Sequence, residues 1–284
     1  MSRAMTSLPI APTIAELRAQ IAAMRAAGAR IGLIPTMGAL HEGHLSLVRA
    51  IRARGEKAVV SIFVNPAQFG PAEDFDRYPR TFEADCAKLA GFADFVFAPG
   101  VREMYPDGFA TKIEVGGPSA GLESDFRPHF FSGVATVVAK LLLAAMPDTA
   151  IFGEKDYQQL LVIRRLNADL GLPIEILGGE IVREADGLAM SSRNAYLTPD
   201  ERGIAGRLNL ILKDVGKRVR SGESIASAEA SAREAILKAG FNSVDYVAVR
   251  DAETLEPIED LSRPARVLAA AKIGTTRLID NMAV

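Results

Sequence analysis

The chain has 284 residues, is 49% hydrophobic, has a mean hydropathy of +0.13 and carries a formal net charge of −2; this allows one large domain or two around a sizeable core and excludes global disorder. Nearly cancelling charge gives no support for nucleic acid as the main partner, and a single cysteine, Cys86, excludes an intramolecular disulfide framework and fits a reducing compartment. The N-terminus lacks a sustained apolar run and the longest apolar stretch, 133–146, is broken by Lys140, so a soluble cytoplasmic protein with no membrane partner is expected.

Thr13-Ile14-Ala15-Glu16 has capping-box spacing and predicts a helix to about Ala27. Strands are then predicted at 31–35, 58–64, 94–97, 149–152 and 174–177, alternating with helices at 44–54, 80–90, 133–145 and 157–170. Cys86 falls in the 80–90 helix and reads as a small packed residue. Apolar strands alternating with helices argue for an α/β fold, a Rossmann-like doubly wound parallel sheet. After about Val182 the pattern changes. A polar loop from Arg183 to Arg193 leads into helix-like runs at 200–218 and 224–239, then strand-like runs at 244–249, 266–271 and 277–280. The expected organisation is therefore a Rossmann-like domain over 1–182 and a smaller α+β domain with antiparallel strands over 183–284.

Ligands of open parallel sheets sit beyond the carboxyl ends of the strands. Those ends carry Pro35-Thr36-Met37-Gly38, Asn65-Pro66-Ala67-Gln68-Phe69-Gly70 and Gly153-Glu154-Lys155-Asp156, three polar segments on one edge. The first continues through Ala39-Leu40-His41-Glu42-Gly43-His44 into a helix, and a glycine-bearing turn before a helix start is suited to phosphate. His41 and His44 can add imidazole donors. Their spacing is not that of a zinc protease, and no further cysteine or histidine cluster supplies ligands, so no metal site is expected; a metal pair and a plain polar turn remain open alternatives. Lys155 at a helix start is unfavourable by itself and becomes favourable beside an anion. Met190-Ser191-Ser192-Arg193 offers hydroxyls and a permanent charge suited to a triphosphate, although serine-rich loops are common. Gln68 and Gln159 could each offer an amide to a hydroxy acid.

Taken in order, five segments resemble the pantothenate synthetase (pantoate–β-alanine ligase) family: 35–44, 63–70, 77–81, 152–160 and 183–194. The histidine turn and the serine loop are also similar to the paired signatures of class I aminoacyl-tRNA synthetases and other nucleotidylyl transferases. The resemblance implies ATP-dependent condensation of (R)-pantoate with β-alanine to pantothenate, AMP and pyrophosphate through a pantoyl adenylate, with Mg²⁺ accompanying ATP. It places ATP on Met37, Gly38, Ala39, Leu40, His41, Glu42, Gly43 and His44, on Gly153, Glu154, Lys155 and Asp156, on Val182, and on Met190, Ser191, Ser192 and Arg193. His44 matches the family's proton donor, with His41 and Lys155 beside it in the catalytic role of opposing phosphate charge. Gln68 and Gln159 match the pantoate-binding residues, Gln68 also serving β-alanine. The serine loop would close over the phosphates from the smaller domain, and a homodimer is implied.

One segment departs from the pattern. Where the family commonly reads Arg-Pro-Gly-His-Phe-x-Gly-Val, this chain has Arg127-Pro128-His129-Phe130-Phe131-Ser132-Gly133-Val134. The glycine position holds His129 and the histidine position Phe130, so no role passes to His129, and a backbone conformation needing glycine would be altered. Rival readings are a nucleotidylyl transferase of the same fold with a different acceptor, a non-catalytic nucleotide sensor and a zinc hydrolase.

Overall fold

The computed structural model describes residues 8–71 and 73–284. Six parallel strands form one sheet: β1 (Ile10–Ala11), β2 (Ile31–Thr36), β3 (Lys57–Ile62), β4 (Phe95–Phe97), β5 (Thr149–Gly153) and β6 (Glu175–Gly179). Their order is β1-β4-β3-β2-β5-β6. From the central β2 the chain moves outward through β3 and β4, then returns to the other side of β2 for β5 and β6. The order therefore reverses between β2 and β5, the place where such sheets leave a crevice at their carboxyl ends. The five predicted strands are present with ends shifted by one or two residues. The two-residue β1, which pairs with β4, carries too little pattern to be read in sequence.

Helix starts follow capping chemistry. Glu16 N donates to Thr13 Oγ1 at 3.2 Å, opening the helix Ile14–Ala26. The helix Glu42–Ala53 buries Leu47, Val48 and Ile51 on one face, as its apolar spacing predicts. The helix Phe130–Ala145 begins three residues before its expected start because Phe130 and Phe131 are also buried. Gly133 in it meets the 65–68 turn so closely that a Cβ would lie 2.2 Å from Ala67 O.

Packing divides the chain into two compact units. One takes the described residues up to Val115, His129–Gly153 and Val162–Gly179; the other takes Gly116–Pro128, Glu154–Leu161 and Glu180–Val284. The second unit holds an antiparallel sheet of β7 (Ser243–Asp251), β8 (Ala265–Ile273) and β9 (Thr276–Ala283). The expected 200–218 helix is two helices, Pro199–Ala205 and Arg207–Arg220, interrupted at Gly206, a poor helix former. Val247, Val249, Val267 and Ala269 pack with Leu208, Leu212, Ala232 and Ile236 of the helices. The alternate residues Ala248 and Leu268 turn to the opposite face and pack Leu122 and Leu161. That second apolar face explains why 116–128 and 154–161 join this unit.

Candidate active site

The turn after β2 is fixed by its backbone donors. Thr36 Oγ1 donates to Ser61 O at 2.8 Å and accepts from Gly38 N at 3.2 Å. Gly38 (φ +83°) and Ala39 (φ +50°) are both left-handed, a conformation that costs little for glycine and more for alanine. Asp85, fully buried in the helix Phe82–Leu89, accepts from Ala39 N at 2.8 Å and Leu40 N at 2.7 Å. Lys88 Nζ donates to Leu40 O at 2.6 Å. The N–H groups of Ala39 and Leu40 are thus bonded to a carboxylate ahead of the helix start at Glu42.

The two imidazoles cap the helix Glu42–Ala53 reciprocally. Gly43 N donates to His41 Nδ1 at 3.2 Å, and His41 N donates to His44 Nδ1 at 3.3 Å. The rings lie 4.1 Å apart, tilted by 47°. An acceptor Nδ1 is unprotonated, so in each neutral ring the proton sits on Nε2. The cap that orients the pair thus occupies both Nδ1 atoms.

Gln68 ends the short turn Pro66–Gln68 after β3. Asn65 orients it. Asn65 Oδ1 accepts from Ala67 N at 3.2 Å and from Tyr105 Oη at 2.7 Å, while its Nδ2 donates to Gly133 O and Gln68 Oε1, both at 3.2 Å. Burial pushes the Tyr105 hydroxyl up to about 12, outweighing the Asn65 bond, so it stays a donor. With Oε1 committed to Asn65, Gln68 turns Nε2 toward Met37, at 2.8 Å from Sδ. Asn65 was not singled out in sequence; its position two residues before a backbone N–H, ahead of a proline, is the capping signal that could have found it.

A cavity of about 270 Å³ adjoins this edge, lined by Met37, Gly38, Phe63, Arg80, Thr81 and Asp85 among others. Neither imidazole lines it, nor does Gln68.

At the altered segment, His129 has φ −89° and ψ −13°, an ordinary conformation that does not require glycine. Its ring packs on Gly70, where a Cβ would lie 2.8 Å from Cε1, and its Nε2 is 3.8 Å from Glu73 Oε1.

In the second unit, Glu154–Asp156 form a 3₁₀ turn leading into the helix Tyr157–Asp169. Asn281 Nδ2 donates to Glu154 O and Lys155 O at 3.0 and 2.9 Å, and Arg266 Nη2 meets Glu154 Oε2 at 3.2 Å. Lys155 Nζ stands 3.8 Å from Asp156 Oδ1. Gln159 is half-buried, whereas its neighbour Gln158 is buried with Nε2 donating to Pro118 O at 3.0 Å and Gly121 O at 3.2 Å. The serine loop is braced at its base, where Met190 N donates to Val182 O at 2.9 Å. Arg183 grips buried Asp280 at 2.8 and 2.9 Å. Arg202 pairs with Glu184 and Asp186, each at 2.5 Å; its hydrogen bonds hold the Asp186 carboxyl below its usual range. Ser191 Oγ accepts from Arg193 N at 3.3 Å.

The first unit thus gathers Met37, Gly38, His41, His44 and Gln68 beyond neighbouring strand ends, with Gly153 at the end of adjacent β5. The second carries Glu154, Lys155, Asp156, Gln159, Val182 and Met190 through Arg193. The family model described as Pantoate-beta-alanine ligase matches residues 9–283. The chain belongs to the pantoate–β-alanine ligase family.

Two pantothenate synthetases show the same extent of likeness. That of Mesorhizobium japonicum is 57% identical over 96% of each chain, and that of Paramagnetospirillum magneticum is 55% identical over 98% of this chain and 99% of its own. Among solved structures, the pantothenate synthetase of Thermus thermophilus superposes with a TM-score of 0.89 at 47% identity, covering 97% of this chain and 99% of that one. The Francisella tularensis pantoate-beta-alanine ligase, complexed with beta-gamma ATP and beta-alanine, gives 0.82 at 33% identity over 97% of both chains.

Proposed function

We propose that this ligase uses the imidazole pair of His41 and His44 to meet the phosphates of ATP while it condenses (R)-pantoate with β-alanine. The observation that carries the reading is the reciprocal cap at the strand-order switch, which fixes two Nε2–H donors at one sheet edge. The pantoate carboxylate attacks the α-phosphorus of ATP; the new O–P bond forms as the α–β bridge breaks and pyrophosphate leaves. The neutral β-alanine amine then attacks the acyl carbon of the adenylate, forming the amide, and AMP leaves as the C–O bond breaks and the amine nitrogen gives up one proton to solvent.

No protein nucleophile is required, so the chain's contribution is positioning and charge stabilisation. His44 donates to oxygen charge developing at the phosphates, and His41 and Lys155 share that role. Met37 through His44, Gly153 through Asp156, Val182 and Met190 through Arg193 serve ATP. Gln68 and Gln159 serve pantoate, and Gln68 also serves β-alanine. The Gln68 amide turns its donor toward Met37, which suits an anionic or hydroxyl acceptor. Residues 1–182 are assigned nucleotide and pantoate binding, and 183–284 the serine loop. Mg²⁺ enters as part of the MgATP substrate, and the active species is assigned as a cytoplasmic homodimer.

The test omits each of MgATP, pantoate and β-alanine in turn. AMP and pantothenate should form in equal amounts only with all three, and pantoate with ATP alone should support pyrophosphate exchange. A stable nucleotide adduct in place of free AMP would overturn the reading.

A further inference from the structure

A buried carboxylate next to a turn that receives phosphates is electrostatically unfavourable unless it does something else. Asp85 has no exposed surface, and its two oxygens accept from three donors: Ala39 N, Leu40 N and Thr81 Oγ1, the last at 3.1 Å. Two of these belong to the stretch where the chain is least at ease, since Ala39 is left-handed and carries a Cβ. Lys88, one turn further along the same helix, takes the carbonyl side of Leu40. The approach is close: a Cβ on Gly38 would lie 3.2 Å from Asp85 Oδ2. Leu40 immediately precedes His41, whose extended backbone (φ −131°, ψ 179°) lets its ring reach Gly43 N.

We propose that Asp85 is a positioning residue, which holds residues 38–40 from beneath and so sets the orientation and tautomer of His41 and His44. The proposal rests on the reading of this turn as the ATP turn. An asparagine at 85 would present one acceptor and one donor where two backbone N–H groups now point. One of those N–H groups would lose its partner, and the turn would relax away from its left-handed geometry.

The chain contains only three histidines, at 41, 44 and 129, which makes the test direct. In ¹⁵N imidazole spectra of the wild-type protein without substrate, His41 and His44 should both show protonated Nε2 and unprotonated Nδ1. In Asp85→Asn the His41 and His44 signals should move toward mixed tautomers while His129 stays in place. Pantoate-dependent ATP–pyrophosphate exchange should fall by about 10²-fold, the scale for misplacing a group by roughly an ångström, with the KM for pantoate little changed. Thr81→Val, which removes only the third donor, should shift the same signals in the same direction by less and keeps the test alive if Asp85→Asn does not fold. Unchanged His41 and His44 signals in the folded variants would overturn the proposal, whether or not exchange is lost. If the wild type shows no pantoate-dependent exchange, the ligase reading fails, and the spectra still decide the role of Asp85.

Discussion

The turn at 36–44 and the loop at 183–194 are held by different forces. In the turn, the fixing contacts are mostly backbone N–H groups meeting side-chain acceptors: the imidazoles three residues apart, and an Asp85 carboxylate 45 and 46 positions away. In the loop, long charged side chains predominate, with Arg183 reaching Asp280 across 97 positions and Arg202 joining Glu184 and Asp186. Elsewhere in the same unit Glu123 is set between Arg277, at 2.8 Å to each oxygen, and the Tyr246 hydroxyl at 2.7 Å. A frame of backbone bonds fixes the direction of two donors within a few residues. A frame of ion pairs fixes where a loop starts and ends, and its strength varies with protonation.

His44→Ala should show the largest effect on activity, because it removes both the proposed phosphate donor and half of the cap. Exchange should fall by on the order of 10²–10³-fold with thermal stability nearly kept. A near-normal rate would break the assignment of chemistry to the turn. Asp280→Asn tests the other frame. Breaking this buried pair should cost about 3 kcal/mol of stability, measured by denaturant unfolding, and raise the KM for ATP more than that for pantoate. If stability were lost with the KM for ATP unchanged, the serine loop would not serve the nucleotide.

Gln68→Ala should lower kcat/KM for pantoate by about 10- to 100-fold, the scale of one hydrogen bond to a charged group, and leave ATP binding close to normal. Equal losses for both ligands would mean that the 65–68 turn supports the whole edge and not one substrate. The smallest effect is that of pH. Burial alone would raise the Glu123 carboxyl, but the Arg277 hydrogen bonds and charge, helped by Tyr246 and Arg127, win and hold it below its usual range. A depressed carboxyl contributes stability above its unfolded value of about 4.3 and loses it as pH falls through the folded value. The melting temperature should therefore drop below about pH 4, and Glu123→Gln should be less stable at neutral pH with a shallower acid slope. Equal acid slopes in the two proteins would remove Glu123 from this frame.

Local pattern made much of the fold legible. The five predicted strands are apolar runs and their helices have helical spacing, and the turn at 35–44 follows an apolar run directly, so its position between a strand end and a helix start could be read from adjacent residues. His41 and His44 were legible for the same reason. Asp85 was not: an aspartate in the first turns of a helix is ordinary, and only the fold sets it under Ala39 and Leu40. Asn65 stood in plain view beside Gln68, yet its role depends on Gly133 and Tyr105, 68 and 40 positions away. The concern over glycine at 129 also needed the backbone, whose negative φ there does not require glycine.

By itself, then, the sequence determined most of the strands and helices, which polar turns end the strands, and the family, because apolar patterning and motif spacing act over a few residues. The tertiary structure decided the strand order with its reversal between β2 and β5, the contacts made by the two imidazoles, the orientation of the Gln68 amide, and the passage of 116–128 and 154–161 into the second unit. Each of these depends on which donor meets which acceptor, or which apolar face is covered, once the chain has folded.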